Sequence, residues 1–197
     1  MSTVSIVGYA TIMDPENAKK IGLEGTPDVV WINGHQRFFG FPDYNLEGKT
    51  LDEVFDADGR LLISNIGATT VQPRDAHKYS AVIYNGVPRG VVAELDRIEG
   101  DSHLVRLALE HGVIRNFRDD SSWDNGDNPV FVYVAEKQLV LPERGTLQML
   151  RTDVTPHVGY LAKCRAAASV HGDAFRTAYE DTTFLADRVI SLRESRL

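Results

Sequence analysis

Val4-Ser5-Ile6-Val7-Gly8-Tyr9-Ala10-Thr11-Ile12-Met13-Asp14-Pro15-Glu16 is the stretch whose reading decides the fold. Its first half is β-branched and apolar, so it reads as a buried strand ending at Gly8 and Tyr9. Asp14 followed by Pro15 reads as an N-cap with proline at the first helical position, so a helix runs through Glu16–Ile21 and stops at Gly22. A strand that ends in small residues just before a helix leaves backbone N–H groups free. Such groups suit a carboxylate or a developing oxyanion.

Outward from there, Val29–Ile32 reads as a strand, Asn33-Gly34 as a turn, and Gln36–Phe41 as an aromatic extended segment. Residues 42–59 are polar and turn-rich, and Arg60–Ile66 and Ala68–Gln72 read as strands. Tyr79–Tyr84, Asn85-Gly86 and Val87–Leu95 read as a hairpin, because Asn-Gly favours the positive φ of a type I′ turn. Asp101 or Ser102 caps a predicted helix through His111, stopped by Gly112. Val130–Glu136 is a further strand. After Pro156 the pattern becomes helical: Tyr160, Cys164, Ala167, Ala168 and His171 share one stripe, and Gly172 breaks it. Asp173 starts a second helix to about Leu185, which Arg188–Arg193 extends. The expected organisation is one α+β domain over residues 1–197, a strand-rich body with a helical C-terminal part.

Composition bounds the function. The 197 residues are 43% hydrophobic and 25% charged, ordinary for a globular chain. Lys plus Arg total 21 against 28 Asp plus Glu, a net charge of −7. An acidic chain without a basic cluster argues against nucleic acid and against an anionic membrane surface. The longest apolar run, Val130–Ala135, is far below the ~20 residues of a membrane helix. Met1–Val4 shows no leader, and a single cysteine, Cys164, excludes an intrachain disulfide. The expected location is cytoplasmic.

Familiar chemical signatures fail. Gly48-Lys49-Thr50 lacks the upstream glycine of a phosphate-binding loop, Asp43 standing in its place. The six histidines show no metal-binding spacing, and the acidic run Asp119–Asp127 lacks the calcium-loop pattern, so no metal is expected. His111 and His171 read as partly buried helix-end residues. Cys164, in an apolar stripe, reads as core. Glu110, at the end of its predicted helix, sits where the helix dipole disfavours negative charge and raises a carboxyl pKa. That suits a group that takes up and returns a proton. Spacing alone favours an ordinary surface pair with Arg106, four residues earlier.

In order along the chain, these segments resemble the gamma-glutamyl cyclotransferase-like family. That family opens with a strand and a Tyr-Gly-Ser-(Asn/Leu)-Leu loop, matched here by Tyr9-Ala10-Thr11-Ile12-Met13. The continuation Met13-Asp14-Pro15-Glu16, the segment Gly34-His35-Gln36-Arg37-Phe38 and Gly90-Val91-Val92-Ala93-Glu94-Leu95 follow suit. So do Leu109-Glu110-His111-Gly112-Val113, Tyr160-Leu161, Ala166–Gly172 and Thr182–Asp187. The chain departs from the family in three places: Ala10 replaces the loop glycine, Thr11 the serine, and Val113 a tyrosine, for which Phe117 offers an aromatic wall without a hydroxyl.

The resemblance implies a mixed, barrel-like sheet with flanking helices and a pocket at one end. It implies cleavage of a γ-glutamyl amide by the substrate's own α-amine, giving 5-oxoproline and a free amine. No metal or organic cofactor is required. The implied partner is a small-molecule γ-glutamyl substrate. Glu110 is implied as the catalytic acid–base, and Gly8, Tyr9, Ala10, Thr11, Ile12, Phe117 and Tyr160 as substrate-binding. Glu99, in Arg97-Ile98-Glu99-Gly100, competes with Glu110 but follows the predicted strand too soon to finish a helix. Another amide-cleaving or acyl-transfer enzyme on the same scaffold, and a non-catalytic ligand-binding domain, are the alternatives.

Overall fold

Both faces of one sheet are apolar, and among the described residues α-helices pack against one of them. The computed structural model describes residues 3–42, 66–101, 104–141, 145–148, 150–156 and 158–195. The readings made for Gly48-Lys49-Thr50, for residues 43–65 and for Ser102 lie outside them.

Strand β1 (Thr3–Gly8) is followed by a single 3-10 turn (Thr11–Met13) and by helix α1 (Pro15–Lys19). Two long strands come next, β2 (Asp28–Pro42) and β3 (Ile66–Pro88), then helix α2 (Arg89–Asp101). Strands β4 (Leu104–Leu109), β5 (Ile114–Asn116) and β6 (Val130–Ala135) precede a small hairpin of β7 (Gln138–Leu141) and β8 (Gly145–Gln148). The C-terminal part comprises β9 (Thr155–Pro156), α3 (Val158–Ser169), α4 (Asp173–Asp181), β10 (Thr183–Phe184) and α5 (Leu192–Ser195).

The main sheet runs β10-β2-β3-β1-β6-β4, with β5 added to β2 and β9 to β3. β1 is antiparallel to β3 and parallel to β6, so the sheet is mixed. Along β1 the side chains alternate: Ile6 joins one apolar cluster and Val7 the other. β3 does the same with Val82 and Tyr84 against Ala81 and Ile83. Leu161, Cys164, Ala167 and Ala168 of α3, Phe175 and Tyr179 of α4, and Val92 and Leu95 of α2 cover the first face. The second cluster, built around Val30, Ile32, Tyr79, Ile83, Val130 and Val132, contains no α-helical residue among the described residues. An apolar sheet face can be buried by curling onto itself. The result is a half-barrel with helices on its outer face.

Several expectations hold. Asp14 caps α1, its carboxylate accepting from the Glu16 N–H, with Pro15 at the first position. β6 and the α3 stripe stand where they were read, and Gly172, at φ +95°, separates α3 from α4. Helix α4 stops earlier than expected, at Thr182, and short β10 takes up the chain.

Other readings are corrected. Neither Asn-Gly pair turns the chain. Gly34 and Gly86 both have φ +69°, but they lie at irregularities inside β2 and β3. Beside Gly86, one extra residue of β3 faces Ser5, and Asn85 accepts there from the Ser5 hydroxyl at 2.8 Å. Positive φ serves a bulge as well as a turn. The two segments that follow exchange type: the predicted strand from Val87 becomes helix α2, and the predicted helix to His111 becomes strand β4. Val92, Leu95 and Glu99 fall at helical spacing on one face of α2, whereas Leu104–Leu109 finds its partner in β6, with Leu107 opposite Val132.

Candidate active site

The loop after β1 is held by its carbonyls. Arg37 Nη1 donates to the Tyr9 carbonyl at 3.2 Å, the Met13 N–H to that of Ala10 at 3.0 Å, and Asn17 Nδ2 to that of Thr11 at 3.2 Å. Tyr84 Oη donates to the Ile12 carbonyl at 2.9 Å. Among the described residues the N–H groups of Ala10, Thr11 and Ile12 meet no acceptor. In a trans peptide the N–H points opposite to the preceding carbonyl. Arg37, pulling on the Tyr9 carbonyl, therefore turns the Ala10 N–H the other way. Gly8 allows this close fold: a Cβ there would sit 3.1 Å from Ile12 Cγ1 and 3.2 Å from the Ile12 carbonyl.

Arg37 is fully buried. Its Nε donates to Thr183 Oγ1 at 2.7 Å and its Nη1 also to the Ser80 carbonyl at 2.6 Å; Nη2 reaches the Tyr179 carbonyl at 3.2 Å. The guanidinium lies 4.2 Å from the Tyr179 ring centre, a cation–π contact. Burial lowers its pKa, and the cage of carbonyls, hydroxyls and ring faces replaces the water it loses.

A cavity of about 220 Å³ opens beside this loop. Val7, Tyr9, Ala10, Thr11 and Ile12 form one side of it. Phe41 and Ala68, paired across β2 and β3, form another with Thr69 and Tyr160, whose hydroxyls share a hydrogen bond of 3.1 Å. Leu104, Tyr133 and Glu99 complete it. Tyr9 Oη donates to the Tyr133 carbonyl at 2.7 Å, and Tyr133 Oη donates to Asp96 at 2.8 Å, which ties the loop to β6 and β6 to α2. Glu99, in the last turn of α2, is the one charged side chain among the described lining residues. Burial pushes its carboxyl above the usual carboxylate range.

Of the residues picked from the sequence, Tyr9, Ala10, Thr11, Ile12 and Tyr160 meet at the cavity, and Gly8 stands behind the loop. Two do not. Glu110 is exposed, just past the end of β4, and does not line the cavity. The surface pair with Arg106 is not formed either, because four residues of strand span ~13 Å; Arg106 pairs with Asp96 at 3.1 Å instead. Phe117 stacks on Trp31, ring centres 4.8 Å apart, away from the cavity. Cys164 is buried, its thiol pushed up to about 11, as suits a core residue. His171 closes α3 by contacting the Met13 carbonyl at 2.7 Å. The sequence reading ranked Glu99 second to Glu110 as the acid, and it did not single out Arg37 as the loop's anchor. The signal for the first was the helical spacing Val92, Leu95, Glu99; for the second, a charged residue inside the aromatic run Gln36–Phe41.

No family model matches the chain, and no curated protein does. Solved structures do. One, a gamma-glutamyl cyclotransferase, superposes with a TM-score of 0.59 at 11% identity, over 92% of this chain and 88% of its own. An uncharacterized protein from Homo sapiens gives 0.59 at 12% identity, over 92% of this chain and 89% of its own. The chain has the gamma-glutamyl cyclotransferase fold. A yeast gamma-glutamyl cyclotransferase specific to glutathione also matches, with a TM-score of 0.50 at 12% identity, over 92% of this chain and 96% of its own. At such identities the likeness concerns the path of the chain. Among the described residues no helix is long and apolar enough to cross a membrane, and no group of three His, Cys, Asp or Glu is placed to hold a metal ion.

Proposed function

We propose that this chain acts as a single unit that cleaves γ-glutamyl amides by intramolecular aminolysis, with Glu99 as the proton carrier. The observation that carries the reading is one partly buried carboxyl in a cavity that a loop with free N–H groups also lines. The likeness of fold to a gamma-glutamyl cyclotransferase supports it. So does the pairing of β10 with β2, which joins the C-terminal part to the strand-rich body.

The substrate's α-ammonium donates a proton to Glu99, and the freed amine attacks the γ-carbonyl carbon. The tether between amine and carbonyl removes much of the entropic barrier in advance. The oxyanion that forms, and the substrate's α-carboxylate, take hydrogen bonds from the N–H groups of Ala10, Thr11 and Ile12. Collapse breaks the amide C–N bond. Two of the three ammonium protons end on the departing nitrogen, carried by Glu99, and the third stays on the lactam nitrogen. The products are 5-oxoproline and a protonated amine. A carboxyl with a raised pKa is matched to this task, because it must both accept and return a proton near neutrality.

Ala10 keeps a negative φ, −130°, so this position does not call for glycine's left-handed conformations. The expected site of action is the cytoplasm, with no nucleic-acid or membrane partner. The test is 5-oxoproline release from γ-glutamyl amides, compared between wild type, Glu99→Gln and Glu110→Gln. Release lost in the first variant and kept in the second supports the reading. The reverse pattern returns the role to Glu110, and no release from any γ-glutamyl compound removes the activity.

A further inference from the structure

Glu99 can carry a proton only from where α2 delivers it, and a misplacement of about 1 Å can cost ~10²-fold in rate. Packing fixes the middle of that helix through the buried side chains of Val92 and Leu95. Leu95 is the last buried apolar side chain of α2 among the described residues, and Glu99 lies one turn beyond it. What fastens this last turn is polar. Asp96, three residues before Glu99, accepts from Tyr133 Oη at 2.8 Å and pairs with Arg106 Nη1 at 3.1 Å. Tyr133 of β6 is buried, and Arg106 of β4 stands directly opposite it in the sheet. Arg106 is steadied in turn by the Phe131 ring, whose centre lies 4.7 Å from the guanidinium. The same chain of contacts reaches the loop, because the Tyr133 carbonyl accepts from Tyr9 Oη at 2.7 Å. Tyr9 immediately precedes the free N–H groups. Loop and carboxyl are thus joined through two hydrogen bonds and one helical turn.

We infer that Asp96 is a positioning residue of the proposed reaction: by gripping Tyr133 and Arg106 it sets the last turn of α2, and with it the place of the Glu99 carboxyl relative to the loop. The inference rests on Glu99 being the proton carrier. Asp96 does not line the cavity of Glu99; with Arg106 and Phe131 it lines a second one, so it acts on the reaction through Glu99. A carboxylate suits the task, because a hydrogen bond to an ionised acceptor is shorter and stronger than one between neutral groups. A reacting group keeps its geometry when the residues that support it are themselves locked by packing, as the buried ring of Tyr133 is.

The experiment compares Asp96→Ala with Asp96→Asn by kcat and KM for 5-oxoproline release, by carbon-13 NMR titration of the Glu99 carboxyl, and by melting curves as a control for folding. Both substitutions remove the same negative charge, but the Asn side-chain oxygen still accepts from Tyr133 Oη. A difference between them therefore reports the tether and not the charge. Asp96→Ala is expected to lower kcat by ~10–100-fold with KM within about twofold. It should also bring the Glu99 carboxyl back toward the usual carboxylate range, as water reaches it. Asp96→Asn should recover most of the rate and keep that carboxyl raised. Tyr9, Tyr133 and Tyr160, the other titratable groups among the described lining residues, are all pushed upward by burial, so none of them changes charge while Glu99 titrates. Equal rates or equal Glu99 titrations in the two variants overturn the inference and leave the cyclotransferase reading standing. If the wild type turns over no γ-glutamyl compound, that reading falls and the titration alone decides the positioning. A Glu99 carboxyl lowered in Asp96→Ala and not in Asp96→Asn then retains it, and equal titration overturns it.

Discussion

Glu99 and Glu110 carry the same carboxyl close to a glycine, yet the fold treats them in opposite ways. Glu99 ends the apolar face of α2 and is carried into the cavity, where burial raises its pKa. Glu110 follows the edge strand β4 and stands in water. The difference comes from the element in front of each. In a helix, a residue seven after Val92 and four after Leu95 returns to the buried face. At the open end of an edge strand, the next residue is free to turn outward. A carboxyl acquires chemistry from the face it is delivered to, and neighbouring glycines mark both cases alike.

The sharpest way to break this comparison is a pair of isosteric substitutions. Glu99→Gln should lower 5-oxoproline release by ~10²–10⁴-fold, the usual worth of a general base. Glu110→Gln should stay within about threefold, since exposed substitutions away from a site change little. Steady-state kinetics on both variants, with melting curves as a control for folding, decides between the two carboxyls.

The loop after β1 offers the next test. Ala10→Pro removes one free N–H, and losing one such donor costs ~10²–10³-fold in kcat. Thr11→Ser, which leaves the backbone intact, should be mild, and Ala10→Gly should fold and remain active. Wild-type kinetics for Ala10→Pro would show that the loop is not the donor site, leaving Glu99 without its counterpart.

A smaller effect concerns pH. The Glu99 carboxyl has a folded-state pKa above its unfolded one, so the folded state holds its proton more tightly. Stability from this group is full below the unfolded pKa near 4.5 and is lost as pH rises through the folded value. Glu99→Gln removes that loss. Its melting temperature should exceed the wild type's at pH 7, and the gap should close toward pH 4. Glu110→Gln should show no such crossover in the same pH series. The smallest effect is expected at Phe117, stacked on Trp31 outside the cavity. Phe117→Leu should lower stability by ~1 kcal/mol and leave KM unchanged.

How far the sequence carried this reading depended on how local the controlling physics was. The loop from Tyr9 to Met13 and the cap at Asp14-Pro15 are set within a few residues, and they were legible. The α3 stripe through Cys164 and Ala168 was legible because its period is long enough to exclude a strand. The Asn-Gly pairs were not: the positive φ at Gly34 and Gly86 is a local property, but whether it makes a turn or a bulge depends on strands that pair far away. The misreading of Val87–Leu95 as a strand had a direct cost. Counted from a strand, Glu99 comes too early to end a helix; counted from α2, it ends one. Phe117 was chosen for its chemistry alone, and nothing near it in sequence shows that Trp31 claims it.

The Arg37 cage also bears on the order of folding. Its acceptors come from Tyr9, Ser80, Tyr179 and Thr183, so the cation is enclosed only when segments distant in sequence have met. Contacts of such long sequence separation form slowly, because the loops between them must close first. Until Tyr179 and Thr183 arrive, burying Arg37 would strand a charge, so the strands around it cannot complete their packing. Residues 179–183 leave the ribosome long after Tyr9. The amide-bearing loop is therefore among the first segments made and among the last to be fixed, held in its final shape only once α4 has docked.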